Sequence, residues 1–557
     1  MTAARAAPLA RPGPAASALS RGALPLALLA ALVAALAPLL LTPALPLVDF
    51  YAHGVRYLAL SGRPLPPAIA GSYEPAWQLL PNLGMDVVGA GLMRLLEPLA
   101  AMRAVGALMI LAPVGGVLAL SAAVHGRPTP VAALLGGVLA VNHVTVWGFT
   151  NFLVGLGLAL AGTALWIALA GRPRVQIAAA LLFGPVLLMV HGLSFALWGL
   201  MLGAVEIGRA WQGRAAGGMA PCALAWRMAR LLALAVLPLL LWSRMPTGAA
   251  GGRTLFAEPI YADLPFWSGV AQELARRVPT IAAIGETGWR WADFGLGTAL
   301  WALLGWALLR GGLRLHPLLV PAVLGTLALV LVAPSYLFGV RYIADRIPLV
   351  LLCVLAAGLS TTGARDHVAA RGAMAGFTAL FLVDALLTSA SWGRQGARYA
   401  DFLSRTAVLG MAASPAPDGG AGTVELVHLD VAGKRGGGLD LACRPLPGLL
   451  TLTGIAAAPT FADPTQQPLR LAGPLADAIA GGGRTADPMH LRQGQPGIPL
   501  LEGFDLVIAC AGRGPTAIEP DEGVPLLSGS GWTLLAAPAR ERGTAPEEPL
   551  LLPAALP

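Results

Sequence analysis

Apolar runs long enough to cross a bilayer recur along this chain from residue 24 to about residue 390. That recurrence limits the possible folds more than any other feature. A helix of about 20 apolar residues spans a ~30 Å hydrocarbon core, and inside that core every backbone polar group must find its partner within the protein. Such runs can therefore only become helices. Charge agrees: only 12% of the 557 residues are charged, about half the share of an ordinary soluble domain. The 69 glycines and 47 prolines fit as well, because packed membrane helices tolerate both.

The hydropathy pattern predicts about eleven spans, near residues 24–41, 104–123, 131–147, 151–169, 175–190, 193–208, 229–242, 294–309, 317–333, 347–362 and 372–389. Several are short for a bilayer and need flanking Trp and Arg to reach the interface, or a locally thinned membrane. The first run follows Arg5, Arg11 and Arg21 and reads as an uncleaved span. A signal peptide cleaved near "TPALP" is the alternative. The net charge of +8 does not mark a nucleic-acid binder, because the arginines fall singly or in pairs between apolar segments rather than in a patch.

The same arginines orient the chain. With the N-terminus in the cytoplasm, the short loops carrying His125/Arg127, Arg172/Arg174, Arg209 to Arg230, Arg310/Arg314 and Arg365/Arg371 all fall inside, as the positive-inside rule requires. Asp49, Glu74, Asp86, Glu97, Glu258, Asp263, Glu273 and Asp345 fall on the other side. An odd number of spans then leaves the C-terminal part outside, in the periplasm of a Gram-negative cell. The expected fold is mainly α: a polytopic helical membrane protein, multi-pass in the cytoplasmic (inner) membrane, over residues 1–390. A small C-terminal α/β extracytoplasmic domain follows over 391–557.

Two outer loops are long, 46–103 and 243–293. "GVRYLALSGR", "LLPNLGMDVVGAGLMRLLEPL" and "FWSGVAQELARRVPTIAAIG" within them have the apolar spacing of helices lying on the interface. Beyond 390, "TVELVHLDV", "LLTLTGIA", "FDLVIACAG" and "GWTLLAAPA" read as strands between Gly/Pro-rich loops. Cys443 and Cys510 lie in this part, where an oxidising compartment allows either a disulfide or two free thiols.

Polar groups at span ends are costly and therefore informative. Asp49 and His53 follow the first span, Asn142 and His143 end the third, and Asn151 begins the fourth. His191 sits at the tip between the fifth and sixth, and Arg341, Asp345 and Arg346 precede the tenth. The first outer loop adds Tyr73, Glu74, Asn82 and Asp86. Each has a plain structural reading. Asp49 could cap a helix, either histidine could bond a backbone carbonyl, Asn82 and Asp86 could share a solvated helix face, and Arg341, Asp345 and Arg346 could form a surface ion pair. Those readings do not explain why all of these groups gather at one end of the spans. An outward-opening polar cavity does. In such a cavity Asp49, with Glu74 or Asp86, supplies a carboxylate base, and Arg341 or Arg346 holds an anionic leaving group. No Walker, HExxH, GxSxG or CxxC pattern occurs. The spans do not divide into two similar halves, which counts against transport.

This layout resembles the GT-C superfamily of integral membrane glycosyltransferases: a basic N-terminus, one span, an acidic residue opening a large outer loop, amphipathic helices, further spans and an outer C-terminal domain. More narrowly, "DFYAHGVRY", "PNLGMD", "WGFTNFLVGLGLAL", "HGLSFALWG" and "PTFADPTQQPL…FDLVIA" look like a family of bacterial multi-spanning proteins of uncharacterised function. The superfamily resemblance implies transfer of a sugar from a polyprenyl-phosphate donor to an envelope acceptor at the outer membrane face, with the lipid-linked sugar and membrane lipid as partners. It assigns the base or metal-binding role to Asp49, with His53 beside it, and the lipid phosphate to Arg341. Many superfamily members pair two acidic residues where Asp49 stands alone, so a divalent cation is an open expectation. The other readings are a transporter or envelope-assembly factor without turnover, and a scaffold that has kept only lipid binding.

Overall fold

In a computed structural model, the described residues are 14–42, 44–67, 69–215, 221–245, 265–283, 285–334, 336–337, 340–362 and 367–412. In the C-terminal part they are 426–430, 444–458, 460, 462, 467–473, 475–476, 506–510, 524–529 and 532–536.

The chain is a polytopic helical membrane protein, and eight of its described helices are long and apolar enough to cross a membrane. In chain order the helices are α1 (Pro14–Leu41), α2 (Phe50–Leu60), α3 (Gly84–Leu95), α4 (Pro98–His125), α5 (Pro130–Val138), α6 (His143–Val146), α7 (Thr150–Ala168), α8 (Pro173–Val190), α9 (Gly192–Ala215), α10 (Pro221–Ser243), α11 (Phe266–Ala282), α12 (Arg290–Leu309), α13 (Val320–Val332), α14 (Ile343–Gly358), α15 (His367–Ala412) and α16 (Pro445–Leu452). The three stretches expected to be helical in the long loops are helices α2, α3 and α11. Helices of spanning length are α1, α4, α7, α8, α9, α10, α12 and α15, and α13 with its preceding short turn is a shorter apolar helix.

Contact clustering divides the chain into two units. The first is 1–63, 75–397 and 462–469. Its centre is the pair α4 and α7, which pack along each other. Small residues let the two backbones approach: a Cβ added at Gly116 would fall 2.5 Å from the Gly157 carbonyl oxygen. In a membrane, where lipid is as apolar as a leucine, close van der Waals packing of this kind is the main source of helix association.

One expected span is not a continuous helix. The stretch 131–147 breaks after α5, because Asn142 turns the chain. Its Oδ1 accepts from Val144 N (2.9 Å) and Thr145 N (3.1 Å), while its Nδ2 donates to Leu139 O (2.8 Å). An Asn that satisfies both the end of one helix and the start of the next offers the backbone an alternative to continuing. Hydropathy alone cannot register that.

The second unit, 64–74, 398–461 and 470–557, contains a four-stranded mixed sheet in the order 426–430, 506–510, 532–536, 524–529. The first two strands pair in parallel, Leu426 opposite Leu506, and the others are antiparallel. Here Phe402 at the end of α15 meets Trp532 edge to face at 4.8 Å. The expected strand at "LLTLTGIA" is instead helix α16 with its C-terminal turn. A short apolar run buried on all sides has no period to separate strand from helix, and Pro445 at its first turn favours the helix. The pairing of Cys443 with Cys510 lies outside the described residues, because residue 443 is not among them.

Candidate functional site

The site lies within the first unit and starts from a backbone splice. Past the first span, Val48 N donates to Val146 O (2.8 Å) and Asp49 N to Trp147 O (3.2 Å), so the first loop is laid against the turn that follows α6. That turn works only with glycine at position 148. Its φ is +80°, and an added Cβ would come 2.9 Å from Phe50 N. Asp49 then occupies the N-cap position of α2 without making a side-chain capping bond. The helix-cap reading of Asp49 fails at this point: it has the position but its carboxylate does not do that work.

The carboxylate acts in another direction. Arg346, near the start of α14, is buried, and both Asp345 and Asp49 act electrostatically on its guanidinium. Its Cζ lies 4.1 Å from the centre of the Phe149 ring and 5.3 Å from that of Phe152, and its Nη1 is 3.4 Å from His191 Nε2. His191 stands edge to face on Phe152 at 5.5 Å. Stacking on aromatic faces suits the planar, weakly hydrated guanidinium and holds it in place without neutralising it. On the other side of α14, His143 Nε2 bonds Asp345 O at 2.8 Å.

Trp147, Phe149 and Tyr342 complete an aromatic cluster, with Trp147 5.0 Å from Tyr342 and 6.1 Å from Phe149. Tyr342 has φ +61°, a left-handed conformation that is rare for a bulky side chain and costs about 1–3 kcal/mol. His143, Asp345, Tyr342, Trp147 and Phe149 together form one wall of a cavity of about 410 Å³, within the range of small-molecule sites.

The sequence-selected residues therefore fall into three groups. His143 and Asp345 line this cavity, while Asp49, His191 and Arg346 belong to the Arg346 shelf, which adjoins it through Phe149. Arg341 is next to Tyr342 in a short hairpin, opposite Tyr336 in register, and its side chain is not among those described.

A second group holds the first loop in place. Asp86 is buried, not on a solvated face, and its Oδ1 accepts from Arg56 Nε at 2.6 Å. Asn82 precedes α3 and adopts φ +74°, so it does not share a helix face with Asp86. Asn151 Oδ1 accepts from Met85 N at 2.9 Å, tying α7 to the start of α3. His53 stacks on Tyr57 with ring centres 6.4 Å apart, and burial, helped by Arg56, holds its imidazole well below the ordinary pKa. It is thus a neutral ring at pH 7.

The third group belongs to the second unit. Tyr73 is buried there, its hydroxyl donating to Ala458 O (2.6 Å) and accepting from Ala458 N (3.0 Å), while Glu74 is exposed.

The opposite wall of the cavity was not foreseen from the sequence. It comes from Pro279 and Thr280 of α11 and from Glu286, Arg290 and Asp293. Its one sequence signal was a carboxylate between two glycines in "IGETGW". Among the described residues, no three His, Cys, Asp or Glu side chains form a set that could hold a metal ion. A divalent cation stays an expectation of the resemblance alone.

No protein-family model matches the chain, and no curated protein does. Two solved structures are similar to it, both crystal structures of ArnT from Cupriavidus metallidurans. The first, bound to undecaprenyl phosphate, is 15% identical with a TM-score of 0.47, covering 95% of this chain and all of that one. The second, in the apo state, is 15% identical with a TM-score of 0.45, covering 93% and 98%. Likeness at this level sets no residue-by-residue correspondence.

Proposed function

We propose that this protein is a membrane glycosyltransferase. It would move a sugar from a polyprenyl-phosphate donor to an envelope acceptor, with the Asp49 end of the helices on the outer face of the cytoplasmic membrane. One observation carries the reading. The acidic residue that opens the first loop is tied by its backbone to Trp147, a buried arginine is stacked on Phe149, and both rings line a cavity large enough for a glycosyl group. The acidic first-loop position is also the one the GT-C resemblance assigns to catalysis.

Asp49 takes the proton from the acceptor hydroxyl as its oxygen attacks the anomeric carbon. The bond from that carbon to the phosphate oxygen breaks with inversion, and the electron pair leaves with the polyprenyl phosphate. Arg346 balances the charge that grows on the departing phosphate; a preorganised cation in a water-poor site does this without reorganising. His191, in contact with the guanidinium, helps fix its position. This assignment prefers Arg346 to Arg341 for the phosphate, because the Arg346 guanidinium has the described shelf.

The test is a strain lacking the protein, complemented with wild type or Asp49→Asn, with surface glycans analysed by mass spectrometry. The glycan lost on deletion returns with wild type and not with Asp49→Asn, and purified Asp49→Asn turns over about 10²–10⁴-fold more slowly while still binding polyprenyl phosphate. Full restoration by Asp49→Asn would sink the catalytic assignment and leave the lipid-binding scaffold as the better reading.

A further inference from the structure

The cavity wall facing His143 and Asp345 is built with unusual care for a loop. Asp293, in the first turn of α12, accepts from both Thr287 N and Thr287 Oγ1 at 2.7 Å, closing the 285–288 turn on itself. Gly288 has φ +78°, and a Cβ there would run into Ser391 Oγ of α15; a Cβ at Gly285 would fall 2.9 Å from Asp384 Oδ1. The turn is thus pinned on one side by α12 and on the other by α15. Glu286 lies between the two pinned points and lines the cavity. Trp147, Phe149 and Tyr342 line the same cavity.

A carboxylate and an aromatic cluster lining one cavity of about 410 Å³ suit one kind of ligand group especially well. The C–H-rich face of a sugar ring packs on an aromatic face as apolar surface, and its outward hydroxyls need acceptors once water is displaced. We propose that Glu286 and the Trp147–Tyr342 cluster form the glycosyl subsite of this cavity, the sugar ring resting on the aromatic faces and its hydroxyls donating to Glu286. Asp293 is a positioning residue that presents Glu286. The proposal rests on the glycosyltransferase reading and adds to it the place where the sugar, as distinct from its phosphate, is held. Arg346 serves the phosphate; Glu286 and the rings serve the hydroxyls and carbon face.

The experiment measures affinity of the purified full chain, in nanodiscs, for undecaprenyl phosphate alone and for undecaprenyl phosphate carrying glucose, galactose or mannose. Wild type should bind at least one sugar-bearing lipid about tenfold more tightly than the bare lipid, the worth of one good hydrogen bond. Glu286→Gln should erase most of that increment and leave bare-lipid affinity unchanged, which also reports that the variant is folded. Asp293→Asn should shrink the increment only in part. Arg346→Gln should weaken bare and sugar-bearing lipids alike. If bare lipid binds and depends on Arg346 but the increment survives in Glu286→Gln, or wild type shows no increment with any of the three sugars, the subsite is wrong. If bare lipid does not bind or does not depend on Arg346, the underlying reading fails instead.

Discussion

Helix α7 has a charged cluster at each end, and the two are built to opposite ends. At its C-terminal end, Glu206 Oε1 accepts from Trp166 Nε1 (2.9 Å) and Arg209 (2.5 Å), and its Oε2 accepts from Arg227 (2.7 Å). Toward the other end of this 19-residue helix, roughly 28 Å long, Arg346 lies against the faces of Phe149 and Phe152. The space beside Trp166 is about 10 Å³, room for about one water. The space beside Trp147 is about 410 Å³. Both clusters bury charge. The Glu206 cluster closes every acceptor on a donor of its own and leaves no volume, which is how a charge stabilises a fold. The Arg346 cluster seats its cation on two ring faces, and one of those rings, Phe149, also lines the larger cavity. Burial of charge therefore does not by itself mark a site; buried charge beside unfilled volume does.

That contrast is broken most directly by removing one cation from each cluster. Arg346→Gln should lower release of polyprenyl phosphate from the lipid-linked sugar by about 10²–10³-fold, the range seen when one donor to a developing anion is lost. Arg227→Gln should leave turnover within about twofold. It should instead lower the unfolding midpoint, because Glu206 loses a partner and an unsatisfied buried acceptor costs about 1–3 kcal/mol. Equal losses of turnover in the two variants would remove the distinction between the ends.

A stability effect larger than that of Arg227 is expected within the first loop. Arg56 and Asp86 are each 2% exposed, and Asp86→Ala leaves a buried guanidinium uncompensated, at about 3–5 kcal/mol. The double variant Arg56→Met/Asp86→Leu should recover much of the loss, because a buried ion pair is worth little over apolar groups of similar volume. Denaturant or thermal unfolding in a defined detergent reads both. Turnover should recover together with folding. If the double variant is stable but inactive, Asp86 has a direct role in the chemistry rather than in holding α2 and α3 together.

How much of this was visible in the sequence follows from the range of the interactions. The helical, membrane-spanning character, the loop helices α2, α3 and α11 and the position of Asp49 at the start of α2 follow from local hydropathy and one charge at a span end, and those could be read. The Asn142 break could not, since it depends on whether an Asn side chain bonds its own backbone or points elsewhere. The pairing of Asp86 with Arg56 crosses 30 residues, and single-sequence spacing carries no sign of it. The resemblance pointed to Arg341 for the phosphate; the seat of Arg346 on the rings of "WGFTNF" depends on packing that spacing does not show. Glu286 was missed because an acidic residue in a Gly-flanked loop resembles any solvated turn until α12 and α15 are seen to clamp it.

A smaller effect tests the splice between loop and turn. Gly148→Ala puts a Cβ on a left-handed residue and against Phe50 N, costing about 1–3 kcal/mol and pushing Asp49 away from Trp147. Turnover should fall by more than the lost stability explains at temperatures where the variant is fully folded. Leaving turnover intact would mean that the exact seat of Asp49 does not matter. The matched control, Gly116→Ala at the packed α4–α7 centre, should cost stability without changing the turnover of the folded fraction.

The smallest effect is a pH dependence specific to the cavity wall. Burial, with the charge of Asp293 adding to it, pushes the Glu286 carboxyl from 4.5 up to about 7. The folded state therefore keeps this proton over a range in which the unfolded chain has released it. Any stability tied to that proton is fully present below the unfolded value and is lost as pH rises through about 7. Glu286→Gln holds no proton to lose. Its unfolding midpoint relative to wild type should therefore rise between pH 5 and pH 8 and level off above the folded pKa. Arg290, Asp293, Asp384, His143 and Asp345 remain in both proteins, so the difference isolates Glu286 as long as the substitution does not shift them. A midpoint difference that stays flat with pH would show that Glu286 is ionised throughout and accepts hydrogen bonds as a plain carboxylate. A rising one would mean that near neutral pH it both donates and accepts, and that the sugar held there meets a wall whose hydrogen-bonding sense changes with the medium.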